Sequence, residues 1–564
     1  MTRTLDTPKA RALLEKELQR CGVVPVSLEA KPYPEETIFV VYVSAADFSK
    51  SVEAAGAVDE AFSAAEFSGF VTIRRSEADT SRATKSGGAR GVSNPKVDSL
   101  VDLLTARSRT SEIQPSLEYV RDSSNQLGLI LTARNHLIFG RRGAGKTTLM
   151  VEAKRQLEAA GHATVWINMQ THRHATPEVA FVWILTSIIE RLQTHFDDRI
   201  PKVLLEISEL KVHVDSLLSR PSVSKSDAVR LIPRAQRIIK RFVSVAGCRL
   251  VVFLDDLHYL KRDEQPALLD MVHGITRDID AWIKVACIKH LSRWFEHSPP
   301  TGLQTGHDAD HVELDLTLES PAEAKDFLDQ LLNVYAKHVG LTSERSVFSD
   351  DALNRLLLAS GAVPRDYLVL AASAIRLAKR RQSARLTGVQ DVNRAAGDQS
   401  KVKIAELEDD AAASTEGGAQ AIILALNRVR EFCLDEKRFS FFKIDFRDKE
   451  SNPKQYGLVQ SLLDVRIVHL IASSLSDKNE AGRRSEVFML DLSQFSGQRL
   501  KKRIHVLDFV DQHIVLRETT TDSAGQKGDT PKRLQDLLRT GPLLELTNIP
   551  LPNQGKAPRR GKVS

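Results

Sequence analysis

The sequence predicts an α/β protein with a parallel-sheet core, a small N-terminal α/β module and a C-terminal domain of helices and a hairpin. Three observations carry that prediction. Five short apolar runs, "NHLIFG", "ATVWINM", "RLVVFLDD", "IKVACIK" and "HVELDL", alternate with helix-patterned stretches. The 564 residues exceed one ordinary core, so roughly two to four domains are expected. Two polar stretches without periodicity, 76–96 and 408–418, read as linkers.

Composition narrows the class. Hydrophobic residues make up 42% and charged residues 27%, near the globular average, so most of the chain should fold. A net charge of +6 is mild over this length; it permits a local nucleic-acid patch without implying one. The four cysteines, Cys21, Cys248, Cys287 and Cys433, form no C-x-x-C pair. That argues against a zinc site and a disulfide framework and fits a reducing cytoplasm. The first twenty residues are polar and helical, and no run approaches 18 apolar residues, so neither a signal peptide nor a membrane partner is expected.

The elements follow in order. Residues 1–75 read as a βαβ-like module, with a helix over 1–20 and strands at "TIFVVYV" and "GFVTIRR". After the 76–96 linker the core spans 97–318. Its first helical stretch breaks at Pro115, "KTTLMVEAKRQLEAAG" forms a helix ending at Gly161, and 177–246 is rich in helix. Residues 319–407 are helical, beginning at Ser320 before Pro321, with Glu323 at the capping-box position. Beyond the second linker, 419–521 holds helices at 419–436 and about 457–464, then strands at 465–473 and 485–493 joined by a charged loop. The extension 522–564 is basic, and its end, "APRRGKVS", reads as disordered.

Gly140, Arg141, Arg142, Gly143, Ala144, Gly145, Lys146 and Thr147 satisfy G-x-x-x-x-G-K-[ST], with Thr148 following. The glycines let the backbone curl so that successive N–H groups face phosphate oxygens, and the next helix adds its positive N-terminus. Gly140 to Thr148 therefore form an ATP cradle. Lys146 reaches the β- and γ-phosphates, and Thr147 offers its hydroxyl to Mg²⁺. Arg141 and Arg142 either add positive charge at the phosphates or face solvent. "RLVVFLDDL" is an apolar strand ending in two acids: Asp255 is placed to hold Mg²⁺, and Asp256 to polarise the attacking water.

With these residues the chain resembles the P-loop ATPases of the AAA+ and STAND group over 111–398, and is closest in look to bacterial ATPases of the origin-recognition type. "FGRRGAGKTTL" is similar to Walker A, "LVVFLDDL" to Walker B, and "SGAVPRDYLVLAASA" to the G-x-P-R-D segment of the lid. The resemblance implies a P-loop NTPase core with a helical lid over 319–407. In it Arg365 is a catalytic sensor that touches the γ-phosphate, alongside Lys146 and Asp256; the other reading is an arginine packed on an acid such as Asp366. It places sensor 1 where Lys289 and His290 stand, without choosing between them. Asp-Asp replaces the usual Asp-Glu, as in many STAND switches, so the Asp256 carboxylate sits about an ångström further back and hydrolysis is expected to be slow. An arginine finger from a neighbour would imply a homo-oligomer, with Arg134, Arg277 and Arg293 as candidates. Tyr119 lies where adenine-contacting residues occur, and is read either as a base stacker or as core.

The C-terminal order resembles a winged helix, with Lys478, Arg483 and Arg484 on the wing, where they could meet DNA or merely face solvent. The expected function is ATP-driven conformational change regulating assembly on DNA or on a protein partner, in the manner of phage-defence or mobile-element ATPases. The other reading is a nucleotide-dependent scaffold that hardly turns over.

Overall fold

The computed structural model describes residues 7–32, 37–43, 48–65, 67, 69–75, 91–107, 117–121, 124–195, 201–381, 384–413, 418–478, 480–496, 503–510, 513–518 and 534–551. The chain divides into two compact units: Met1–Ala106, Thr317–Ala362 and Asp366–Ser564 in the first, Arg107–Leu316 and Val363–Arg365 in the second.

The first unit begins with α1 (Thr7–Arg20), β1 (Ser27–Pro32), β2 (Thr37–Val43), α2 (Phe48–Ala64) and β3 (Gly69–Arg75). β2 and β3 pair in parallel and coincide with the two apolar runs, and β1 lies antiparallel to β2. Phe39, Phe62 and Phe67 meet in its core with ring centroids 5.0–6.1 Å apart. β1 is an edge strand not anticipated from sequence. Its "SLEAKP" carries Glu, Lys and Pro, which suit an edge and hide the strand pattern. α3 (Lys96–Ala106) follows.

α3 corrects a boundary: the expected core began at residue 97, but α3 belongs to the first unit. Lys379 pairs with Asp98, the Arg376 guanidinium donates to Thr105 Oγ1, and Lys96 Nζ donates to the Gly340 carbonyl. These three contacts tie α3 to the helices that follow the core.

The second unit holds α4 (Gln126–Ile130), β4 (Asn135–Phe139), α5 (Lys146–Ala159), β5 (Ala163–Asn168), α6 (Pro177–His195), α7 (Pro201–Leu218), α8 (Lys225–Ala246), β6 (Leu250–Asp255), α9 (Gln265–Thr276), β7 (Ala281–Cys287), the short pair β8 (Phe295–His297) and β9 (Pro300–Gly302), and β10 (Ala309–Glu313). The five predicted core strands form one parallel sheet in the order β10-β4-β7-β6-β5. Alternate residues feed opposite faces, as strand geometry requires. Leu137, Phe139, Val252 and Leu254 pack into one cluster, and Ile138, Val251, Phe253 and Val312 into the other. Burial on both faces is why these strands read as unbroken apolar runs. Lys284 of β7 is a charged residue buried among them, 1% exposed. Its ammonium donates to the Thr132 and Arg134 carbonyls, and burial pushes its pKa down to about 7.

The first unit continues with α10 (Pro321–His338), α11 (Asp350–Ala359), α12 (Pro364–Lys379, whose first two residues cluster with the second unit), α13 (Val389–Ala413) and α14 (Gly418–Arg430). α10 starts at Pro321 as expected, but Ser320 makes no side-chain cap, so there is no capping box. α13 runs through Ala413, which corrects the 408–418 linker over 408–413. Glu408 and Ala411–Ala413 have high helix propensity and carry no apolar periodicity, which hides the helix despite the weaker helix formers Asp409 and Asp410.

The C-terminal elements are β11 (Phe441–Asp445), α15 (Phe446–Ser451), α16 (Pro453–Asp464), β12 (Val468–Ser476), β13 (Arg484–Leu490), the hairpin β14 (His505–Val510) and β15 (His513–Glu518), and α17 (Leu534–Arg539). β11, β13 and β12 form an antiparallel sheet in that order. β11 was not anticipated, and β12 starts three residues later than expected. Residues 534–551 are folded within the extension. Leu537, Leu538, Leu544, Leu546 and Ile549 are buried, and Lys443 exchanges backbone hydrogen bonds with Pro542 and Leu544. The "APRRGKVS" end lies outside the described residues, as do residues 76–90 of the first linker and Pro115. Among the described residues no helix is long and apolar enough to cross a membrane.

Candidate nucleotide site

The phosphate loop leaves the C-terminal end of β4, and β7 separates β4 from β6. Whatever leaves β7 therefore lies between the loop and the acids of β6. Gly143 and Gly145 take φ of +87° and +101°, which only glycine adopts freely, and α5 starts at Lys146. The loop is the expected turn from strand to helix.

Lys146 is 7% exposed. Its ammonium donates to the Gly140 carbonyl at 2.6 Å and the Arg141 carbonyl at 3.2 Å, so it lies folded over its own loop. Thr147 Oγ1 donates to Asp255 Oδ2 at 2.8 Å. Asp255 is 3% exposed, and its Oδ1 is buried without a hydrogen-bond partner. Burial, with Asp256 beside it, pushes the Asp255 carboxyl up to about 6. A hydroxyl and a carboxylate held together, one oxygen unsatisfied, are the hard donors that suit Mg²⁺. Thr147 and Asp255 would hold that ion, which neutralises charge on phosphate oxygens. Asp256 follows in a left-handed conformation, φ 60°. Burial raises its pKa against the lowering effect of Lys146 and Arg142, which places all three charges in one field.

Arg141, expected either at the phosphates or facing solvent, is 5% exposed, which excludes the solvent reading. Its backbone N–H and Nε both donate to Asp315 Oδ1, at 2.8 and 3.2 Å, and a terminal nitrogen donates to the Leu316 carbonyl. Asp315 follows β10, a strand next to β4, so Arg141 anchors the loop to the sheet edge. Arg142 is the loop arginine whose charge acts on Asp256 and His258.

Arg365 reaches the same place. Its N–H donates to the Gly143 carbonyl at 3.3 Å. A Cβ on Gly143 would meet the Arg365 Cβ at 2.8 Å and Val363 at 3.1 Å. The alternative partner, Asp366, is engaged by Lys403 and Arg466. Gly143→Ala is thus expected to strain the loop by about 1–2 kcal/mol and to displace Arg365. ATP affinity should fall about tenfold, read by nucleotide titration.

Sensor 1 gains a position. Lys289 and His290 form the turn directly after β7. The Lys289 side chain is 62% exposed and pairs with Glu313 at 3.6 Å. His290 acts electrostatically on His258, in the turn after β6. Tyr119 is partly buried against the Ile138–Met150 cluster, which favours the core reading. Of the arginine-finger candidates, Arg134 is held bidentate by Asp310, Arg293 pairs with Glu296, and the Arg277 side chain is 63% exposed. His258, in the turn after Asp256, was missed in the sequence: the motif that flags the strand ends at the acids.

Fold and site define a P-loop nucleotide-binding protein: a strand–loop–helix cradle on a parallel sheet, with an acid pair two strands away. The model of the AAA ATPase domain matches residues 125–281, from the approach to α4 to the first residue of β7, and the chain carries an AAA+ ATPase domain. None of the curated proteins matches the chain. Among solved structures it is similar to the Aeropyrum pernix ORC1 protein in complex with DNA, at 14% identity over 66% of this chain and 90% of that one, TM-score 0.35. It is also similar to Drosophila ORC bound to DNA, at 12% identity over 69% and 90%, TM-score 0.28. A third is C. elegans PCH-2, at 13% identity over 57% and 75%, TM-score 0.24.

Proposed function

We propose that this ATPase is a slow conformational switch of the origin-recognition look, with STAND-like Asp-Asp acids, that uses ATP·Mg²⁺ to regulate assembly with a macromolecular partner. One observation carries the reading: Arg365, at the start of α12, donates its N–H to the phosphate loop itself. A γ-phosphate bound there would meet Lys146 and Arg365 together, and α12 continues into the first unit. Asp256 takes the proton of the attacking water.

The output element is the C-terminal domain. Its helix–strand–helix–helix–hairpin order, α14-β11-α15-α16-β12-β13, supports the winged-helix reading. Its wing supports docking to a protein more than to DNA. Arg483 is engaged by Asp445 and Glu480, and Lys478 by Asp536; Arg484 alone of the three is exposed without such a pair among the described contacts. Cations already paired release few counterions. Duplex binding that is steeply salt-dependent in the wild type and lost in Arg483→Ala/Arg484→Ala would reverse that preference.

A second reading, a scaffold that binds ATP without turnover, is favoured by the shorter acid at Asp256. Steady-state phosphate release separates the two. Asp256→Asn is expected to lower turnover by about 10²-fold or more with little change in ATP affinity. Wild-type turnover no faster than that variant's would leave the scaffold.

A further inference from the structure

His258 stands in the turn that closes β6, three residues past Asp255. Its side chain is 4% exposed, and its Nδ1 is buried with no hydrogen-bond partner. Such atoms are rare in folded proteins, and each calls for a ligand or a second conformation that satisfies it. Nδ1 lies 3.9 Å from Asp256 Oδ1, beyond hydrogen-bond range by less than an ångström. The ring packs on Tyr259, centroids 4.8 Å apart, which restricts its movement. Burial first, then Lys146, Arg142 and His290, push its pKa down to about 3. The imidazole is therefore neutral at working pH and carries one N–H donor and one acceptor nitrogen. Facing a carboxylate, the proton belongs on Nδ1.

Asp256 needs such a neighbour. Its backbone is left-handed, so the turn dictates where the short side chain can point. An aspartate also reaches less far than the glutamate found in AAA+ motors. Catalytic hydrogen bonds are often long in the nucleotide-free state and tighten when substrate is bound.

We propose that His258 is a positioning residue for hydrolysis: with nucleotide bound, its Nδ1–H closes on Asp256 Oδ1 and holds that carboxylate against the attacking water. This rests on Asp256 acting as the base. The water oxygen bonds to the γ-phosphorus, and the bond from that phosphorus to the bridging oxygen breaks. The electron pair stays on ADP, and the water proton passes to Asp256. His258 keeps its proton throughout.

The full chain with MgATP tests this through three variants. His258→Phe fills the ring's volume without a donor, His258→Asn keeps a donor close to Nδ1, and Asp256→Asn removes the base. His258→Phe is expected to lower kcat about 10–10²-fold, with KM within about threefold of wild type, because the loss falls on the transition state. His258→Asn should regain a measurable part of that loss. Thermal melts establish that each variant folds. Wild-type kcat in His258→Phe while Asp256→Asn is inactive overturns the role of His258 and leaves Asp256 standing. Wild-type kcat in Asp256→Asn overturns the underlying reading instead. Equal loss in Phe and Asn variants, with KM raised, assigns His258 to packing and also overturns the proposal.

Discussion

Lys146→Ala is expected to abolish measurable ATP turnover, a fall of about 10²–10³-fold or more in kcat, and to weaken ATP binding. The ammonium is held by two loop carbonyls, Gly140 and Arg141, at the mouth of the cradle. Transfer from those carbonyls to phosphate oxygens requires only rotation of its flexible stem. Alanine removes a mobile positive charge that can follow the γ-phosphate from ground state to transition state, where its effect is largest. It also removes the donor that two inward-facing carbonyls share, so part of the loss is expected in loop order. Phosphate release measured with a nucleotide titration separates the two effects. Wild-type turnover in this variant would mean that hydrolysis occurs elsewhere.

The second large effect lies far along the chain, within the first unit. Lys403 Nζ contacts Asp491 Oδ2 at 2.8 Å and Asp366 Oδ2 at 3.4 Å, Arg466 Nε donates to Asp366 Oδ2 at 3.0 Å, and His469 pairs with Asp491 Oδ2 at 2.6 Å. All five residues are at most 4% exposed. The network joins α12, α13 and the C-terminal sheet. Asp491→Ala is expected to cost about 3–5 kcal/mol, because it leaves a buried ammonium short of a partner. Denaturant unfolding at neutral pH measures it.

The same network sets an acid limit. Burial pushes both carboxyls up, but Lys403 reverses this in each, helped by His469 at Asp491 and by Arg466 at Asp366, so both stand below the ordinary value. An unfolded aspartate titrates near about 3.9. Below that pH the unfolded chain binds protons that the folded chain refuses. The stabilisation is therefore present above about pH 4 and lost as pH falls through the folded values. The difference between wild type and Asp491→Asn should shrink from neutral pH to about pH 3. An unchanged difference would exclude an ion-pair origin.

What was legible follows from what leaves a periodic or compositional trace. The five core strands were readable because burial on both faces forces unbroken apolar runs. The phosphate loop was readable because backbone curvature demands glycine at set positions. β1 and β11 escaped notice because both are edge strands, which tolerate Lys, Glu and Asp among their apolar residues. The 408–413 helix was hidden because alanine and glutamate form helix without an apolar stripe, and the aspartates between them read as turn formers.

The sequence by itself determined the parallel sheet, the ATP cradle and the acid pair, since each depends on residues close in the chain. Only the tertiary structure decided the neighbours of Arg141, Arg365, Asp366 and His258. Arg141 turned out to be an anchor because Asp315, 174 positions away, captures it. The Arg365 backbone N–H meets the Gly143 carbonyl, while Asp366 is held by Lys403 and Arg466. His258 is buried with Nδ1 3.9 Å from Asp256 Oδ1. A side chain's chemistry is written in its own position, but its partner is chosen by the fold, and a single chain read from end to end does not show distance in space.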